Sequence, residues 1–205
     1  MAEIIWHGHA CFEVKTENFS VVFDPFEENY VRGLKMPHLT ADKVISSHLH
    51  RDHYAPDMVT LTGNEPDLKL TQIPCFHDDA GGRKRGENLI SVIEADGVRI
   101  CHMGDIGHQL SREQLDAIGK VDILLMPVGG LFTVDANAAK KLCDEIMPAT
   151  IVPMHYKGKG KGLMVIDSVD RFLSHFAKDE VRFLESNRAS CEEILKSKVA
   201  VFPWP

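Results

Sequence analysis

The chain has 205 residues, 44% hydrophobic, 26% charged and 7% aromatic, which suits one soluble globular core and excludes disorder, collagen and a disulfide-stapled miniprotein. Thirty acidic residues against 23 Lys and Arg give a formal charge of -7 with histidine neutral, so nucleic acid is not an expected partner: its phosphates would meet a net negative surface. The unusual count is eleven histidines, and imidazole is the commonest side-chain metal ligand.

The first 24 residues read as a meander of three short strands, Ile4 to His7, Cys11 to Lys15 and Ser20 to Phe23, broken by Gly8-His9 and Glu17-Asn18. Lys43 to Ser47 reads as a fourth strand, and Pro56 to Leu61 as a short helix with proline in its first turn. Leu89 to Glu94 and Val98 to His102 flank Asp96-Gly97, a two-residue hairpin signal because both turn positions accept positive φ. Beyond residue 110 helices alternate with strands: a helix from Ser111 to Ile118 with a Ser111/Gln114 capping box, a strand from Asp122 to Met126, and a helix from Asp135 to Ile146. Thr150 to Met154 reads as strand, Ser168 to Phe176 as helix, and Val181 to Leu184 and Val199 to Phe202 as strands. The pattern suits sheets sandwiched between helices, and with no Pro/Ser-rich linker or short repeat, one domain over residues 1–205 is the economical reading.

Met1 to Ala10 has neither a basic start nor a long apolar run, and no stretch approaches the roughly 18 apolar residues of a membrane span, so neither secretion nor a membrane partner is expected. The five cysteines, Cys11, Cys75, Cys101, Cys143 and Cys191, form no CxxC, and four lie in apolar or strand-like runs; a reducing, cytoplasmic compartment is the expectation. A homo-oligomer is a candidate assembly.

The strongest local signal is Ser46-Ser47-His48-Leu49-His50-Arg51-Asp52-His53, four metal-binding side chains within six residues directly after a strand. On a turn there, His48 and His50 point to one side while Asp52 and His53 are carried to another, which suits two adjacent metals better than one. The plain alternative is a polar loop with solvated histidines, but crowded imidazoles are costly unless metal or hydrogen bonds occupy their lone pairs.

At these residues the chain resembles the metallo-β-lactamase superfamily. Trp6-His7-Gly8-His9-Ala10-Cys11-Phe12 and Val22-Phe23-Asp24-Pro25-Phe26 look like the opening of its small stand-alone branch, which includes the ascorbate-phosphate lactonase-like proteins. His77 in Pro74-Cys75-Phe76-His77-Asp78, then Gly104-Asp105, then Pro153-Met154-His155-Tyr156 continue the match. The resemblance implies an α/β fold of four layers, an αββα sandwich with the metal site along one edge. It implies one divalent ion on His48, His50 and His77, a second on Asp52, His53 and His155, and Asp105 bridging them. Zinc is the metal expected first, with manganese and iron suiting the same ligands. Two ions about 3.5 to 4 Å apart would hold a bridging hydroxide for metal-assisted hydrolysis, with Asp52 and Asp105 offsetting their charge.

Asp24, ending an apolar strand, is the expected carboxylate partner of a ligating imidazole, against a plain turn-forming role. His9 is expected near the metals, touching substrate or a ligand, against simple packing. Tyr156 is a candidate hydroxyl donor to a developing oxyanion. His7, His38, His102, His108 and His175 have no ligand position left to fill. Two basic glycine-rich loops, Gly81-Gly82-Arg83-Lys84-Arg85-Gly86 and Lys157-Gly158-Lys159-Gly160-Lys161-Gly162, follow His77 and His155, so Arg83, Arg85 and Lys157 are expected to draw a small anionic ester, lactone or phosphoester to the site; solvated loops are the alternative. The other activity weighed is a metal-dependent nuclease or RNA-processing phosphodiesterase, but such members of the superfamily carry a large inserted domain for which 205 residues leave no room.

Overall fold

The computed structural model describes residues 1–205. Strands β1 (Glu3–Gly8), β2 (Cys11–Lys15) and β3 (Ser20–Phe23) form the expected meander, followed by β4 (Leu39–Ala41), β5 (Lys43–Ile45) and β6 (Val59–Leu61). Then come β7 (Leu70–Phe76), β8 (Glu87–Ala95), β9 (Val98–His102), α1 (Arg112–Ile118), β10 (Ile123–Pro127), α2 (Ala136–Ile146) and β11 (Thr150–Met154). The chain closes with α3 (Asp170–Leu173), β12 (Val181–Phe183), β13 (Arg188–Ser190), α4 (Cys191–Ile194) and β14 (Val199–Val201). A five-stranded sheet has the order β13-β1-β2-β3-β5, a seven-stranded sheet the order β12-β14-β11-β10-β9-β8-β7, and β4 pairs with β6 in a separate ribbon.

The sheets face each other across one cluster of 45 buried residues, to which α2 adds Ala139, Leu142, Cys143 and Ile146. Strand alternation sorts the first sheet: Phe12, Val14, Val21 and Phe23 point into this core. Cys11 and Val22, on the opposite face, join a smaller cluster with Phe26, Val31, Leu34, Met36, Ala41 and Val59. The outer layer on that sheet is therefore built largely from the loop after β3 and the β4–β6 ribbon. All five cysteines are buried and free, and no helix is long and apolar enough to cross a membrane.

The Asp96-Gly97 turn adopts the two positive φ values expected of it, and α1 carries the Ser111/Gln114 capping box. The helix expected over Pro56 to Leu61 is a single 3-10 turn, Pro56–Met58, followed by strand β6: proline starts the turn, and Val59 and Thr60 favour extended backbone. The helix expected from Ser168 to Phe176 shrinks to one turn with no side-chain cap. Strand β7 has no counterpart among the expected elements; it contains Pro74, whose missing N–H is tolerated because β7 is the edge of its sheet.

Candidate metal centre

β9, β10 and β11 are parallel, and β7 runs the same way because it is antiparallel to β8, which is antiparallel to β9. Their carboxyl ends thus share one edge of the seven-stranded sheet, where open α/β sheets place ligands. His77 follows β7, Asp105 lies three residues past β9, and His155 follows β11. From the other sheet, the turn after β5 carries His48, His50, Asp52 and His53, and the β1–β2 turn carries His9. These eight side chains converge. His48, His50 and His77 form one group of metal-binding atoms within 4.8 Å of one another, and His9, Asp52, His53 and His155 form a second. Asp105 groups with His48 of the first and His53 of the second, and its Oδ2 lies 3.3 Å from His53 Nε2, 3.2 Å from His77 Nε2 and 3.2 Å from His155 Nε2.

Buried Asp24 sets the ring orientations. Its Oδ2 accepts the His53 Nδ1–H at 2.7 Å and the Ser47 hydroxyl at 2.7 Å, while Oδ1 accepts the Ser47 backbone N–H at 2.6 Å. With its own proton committed to Asp24, the Ser47 oxygen accepts from His48 Nδ1 at 2.9 Å. Each imidazole thereby keeps a proton on Nδ1, so that its neutral form turns an unprotonated Nε2 to the centre, as ligation requires. Across the cleft, buried Asn88 accepts the Asp105 N–H at 2.8 Å and donates to the Met103 carbonyl at 2.9 Å. A Cβ on Gly104, whose φ is +55°, would meet Asn88 Oδ1 at 2.3 Å and Ser47 Cβ at 2.5 Å, so only glycine lets the two sheets close here. Ser47 and Asn88 were not singled out from the sequence; nothing local marks a serine or an asparagine as the support of a distant residue.

The backbone is strained at the site. His9 (φ 53°), Asp24 (φ 44°) and His155 (φ 51°) occupy the left-handed region, which costs non-glycine residues about 1 to 2 kcal/mol each. His9 Nε2 lies 3.2 Å from Asp52 Oδ2, and its ring centroid is 4.1 Å from that of His155.

Burial, reinforced by nearby His53, pushes His48 down to about 3; burial and His155 push His9 down to about 4. His53 goes the other way: burial opposes its charge, but Asp105 and Asp24 on either side raise it well above the usual histidine range. Burial likewise opposes the charge on Asp105, and His155 and His53 hold it well below the carboxylate range. The carboxylates flanking His53 call for positive charge, which a second proton on the ring supplies in the metal-free chain and a bound cation would replace. Buried His48 Nε2, His53 Nε2, His155 Nε2 and Asp105 Oδ1 have no hydrogen-bond partner. Orphaned lone pairs converging among carboxylates fit the chemistry of divalent-cation binding.

A cleft of about 720 Å³ opens over His50, Asp52, His77 and Asp105. Arg85 lines it; Arg83 is exposed outside it, and Lys157 is drawn to the Met164 carbonyl at 3.4 Å. The basic rim expected from the two glycine-rich loops is therefore reduced to Arg85, joined by Arg51. The reason is loop geometry: Asp78 gathers the backbone N–H groups of Ala80, Gly82, Lys84 and Arg85, closing the first loop on itself. Tyr156 does not reach the cleft either. Its buried ring packs against Trp6 and Trp204, at centroid distances of 5.7 and 5.4 Å, just after the left-handed backbone of His155. His102, as expected, is structural: it bonds the Ala10 carbonyl at 2.9 Å and stacks on Phe23.

The two packed sheets with a His/Asp cluster along one edge define a β-lactamase-type fold, and the family described as the β-lactamase superfamily domain matches residues 3–155. The chain belongs to that superfamily. Within it, the chain is 30% identical to a UPF0173 metal-dependent hydrolase of Thermococcus onnurineus over 76% of this chain and 85% of the relative. A UPF0173 metal-dependent hydrolase of Thermoplasma acidophilum is also 30% identical, over 75% and 83%. A crystal structure of a candidate Zn-dependent hydrolase of the metallo-β-lactamase superfamily from Thermotoga maritima matches all of both chains with a TM-score of 0.79 and 32% identity. Human tRNase Z, short form, shares the fold alone, at 11% identity and a TM-score of 0.55 over 77% of this chain and 93% of that one.

Proposed function

We propose that this chain is a metal-dependent hydrolase holding two adjacent divalent ions, zinc first by its donor set and manganese or iron as the other fits, that hydrolyses an ester, lactone or phosphoester of a small substrate. The observation that carries the reading is the convergence of buried, unpartnered imidazole nitrogens on the Asp105 carboxylate. His48, His50 and His77 would hold one ion, Asp52, His53 and His155 the other, and Asp105 both. Bound there, such ions polarise a carbonyl or phosphoryl oxygen and lower the pKa of a coordinated water. The chain's own part is to hold the ligands rigid. Asp24 fixes the tautomers of His53 and, through Ser47, of His48; Asn88 fixes the turn that presents Asp105; His9 bonds Asp52 and so aims its carboxylate. Asp52 and Asp105 offset cationic charge that neutral imidazoles leave uncompensated.

A nucleic-acid phosphodiesterase is the lesser reading. The cleft wall offers two arginines, one of them, Arg51, already paired with Glu27, whereas a polyanion is usually met by many cations. The test is to load metal-free protein with Zn²⁺ or Mn²⁺, count bound ions, and assay lactones, phosphodiesters and thioesters beside His50→Ala and Asp105→Ala. Two ions per chain are expected, with activity falling at least about hundredfold in both variants. Fewer than one tight ion per chain, or activity surviving both substitutions, refutes the proposal.

A further inference from the structure

Half of the residues lining the cleft over the metal centre are apolar. Six of the twelve residues lining it are Tyr30, Leu49, Phe132, Leu163, Met164 and Val165. Isolated exposed apolar side chains on a soluble protein need no explanation, but six gathered on one cleft beside a polar site do. Leu49, between two candidate ligands, is 76% exposed, and Val165 is 67% exposed.

This apolar lining is held in place. Ile166, next to Val165, is buried; Asp167 N–H donates to the Gly129 carbonyl at 2.7 Å, and Lys157 Nζ to Met164 at 3.4 Å. Gly162 N–H donates to the Arg32 carbonyl at 2.8 Å, tying this loop to the one that carries Tyr30. The same cleft holds one unpaired cation. Arg51 is engaged with Glu27 and lies over the Tyr30 ring, whereas the Arg85 guanidinium meets only the Leu131 carbonyl at 2.9 Å and the Phe132 ring at 5.6 Å.

We propose that the substrate is an amphipathic anion, with an alkyl or aryl group lying on Tyr30, Leu49, Leu163, Met164 and Val165 and a negatively charged group paired with Arg85. This rests on the hydrolase reading and narrows it: the apolar wall selects the substrate and one arginine orients it. The cleft, at about 720 Å³, lies within the usual range for small-molecule sites. A guanidinium already stacked on an aromatic ring is pre-positioned for a carboxylate or phosphate.

Acetate, hexanoate and decanoate are titrated into the metal-loaded chain by calorimetry. Each fully buried methylene is worth about fourfold in affinity, so hexanoate is expected to bind at least about tenfold tighter than acetate even in a half-open cleft. Met164→Asp and Val165→Ser flatten that dependence on chain length, and Arg85→Gln weakens all three ligands by about tenfold. Bound ions, counted in every variant, stay at the wild-type number. A flat chain-length response in a chain that holds two ions overturns this inference and leaves the hydrolase reading standing, whereas failure to bind metal removes the hydrolase reading itself. A dimer that Met164→Asp dissociates, accompanied by a flat response, would also overturn it and assign the apolar lining to a second copy of the chain.

Discussion

Replacing Asp24 with Asn should weaken metal binding while leaving the fold intact. Asp24 is buried, sits at φ 44°, and accepts three short hydrogen bonds, two from Ser47 and one from His53 Nδ1–H. Asparagine also tolerates left-handed backbone, so the turn survives. Its single oxygen would stay on the Ser47 N–H, which puts an NH₂ where Oδ2 now faces the Ser47 hydroxyl and the His53 ring. His53 must then accept through Nδ1 and carry its proton on Nε2, aimed at Asp105, so its lone pair no longer points at the centre. Losing such a supporting carboxylate typically costs 10- to 100-fold in metal affinity, about 1.4 to 2.7 kcal/mol. Competitive titration of Zn²⁺ against a chromophoric chelator reads this directly, with urea unfolding of the metal-free variant as the fold control. A folded Asp24→Asn protein that binds two ions within about twofold of wild type would refute the tautomer argument.

Stability of the metal-free chain should fall as pH drops from 6.5 to about 4. His9 and His48 are held at about 4 and about 3 against an ordinary 6.5, so the unfolded chain takes up protons across that window while the folded one resists them. His53 does not offset this slope, because its raised folded pKa contributes stability that is complete below its unfolded value and is lost only at higher pH. A melting temperature that is flat or rises on acidification across this range would contradict the assignment. Gly104→Ala should destabilise the metal-free protein by more than about 2 kcal/mol in urea, since the added Cβ meets Asn88 and Ser47 at 2.3 and 2.5 Å on left-handed backbone. Wild-type stability would mean that the two sheets do not close there as described. Tyr156→Phe should keep activity within about twofold, because the ring packs on Trp6 and Trp204 away from the cleft; a hundredfold fall would restore the hydroxyl as an oxyanion donor.

The His48-to-His53 turn was legible because its side chains are neighbours in sequence and follow an apolar strand; no long-range contact is needed to see them gathered. His77, Asp105 and His155 were legible only by resemblance, since each is a single polar residue at a strand end. The supports were not legible. Ser47 matters because Asp24 lies across the β3–β5 pairing, and Asn88 because β8 passes beside the Met103–Asp105 turn. The glycine-rich loops misled in the opposite sense. Their composition reads as a basic rim, but loop composition does not fix side-chain direction, and the Asp78 cage leaves only Arg85 at the cleft.

The sequence by itself determined the strand-first, then alternating order of elements and the presence of a metal-binding turn, because hydrophobic periodicity, turn chemistry and ligand spacing are local properties. Only the tertiary structure decided how residues distant in sequence come to share the site. Parallel pairing of β9, β10 and β11, with β7 aligned by two antiparallel steps, brings three carboxyl ends to one edge, and packing of the second sheet sets His9 and the HxHxDH turn against them. The apolar lining of the cleft is likewise a product of packing: its members lie between positions 30 and 165 and meet only because backbone bonds such as Gly162 to Arg32 hold their loops together.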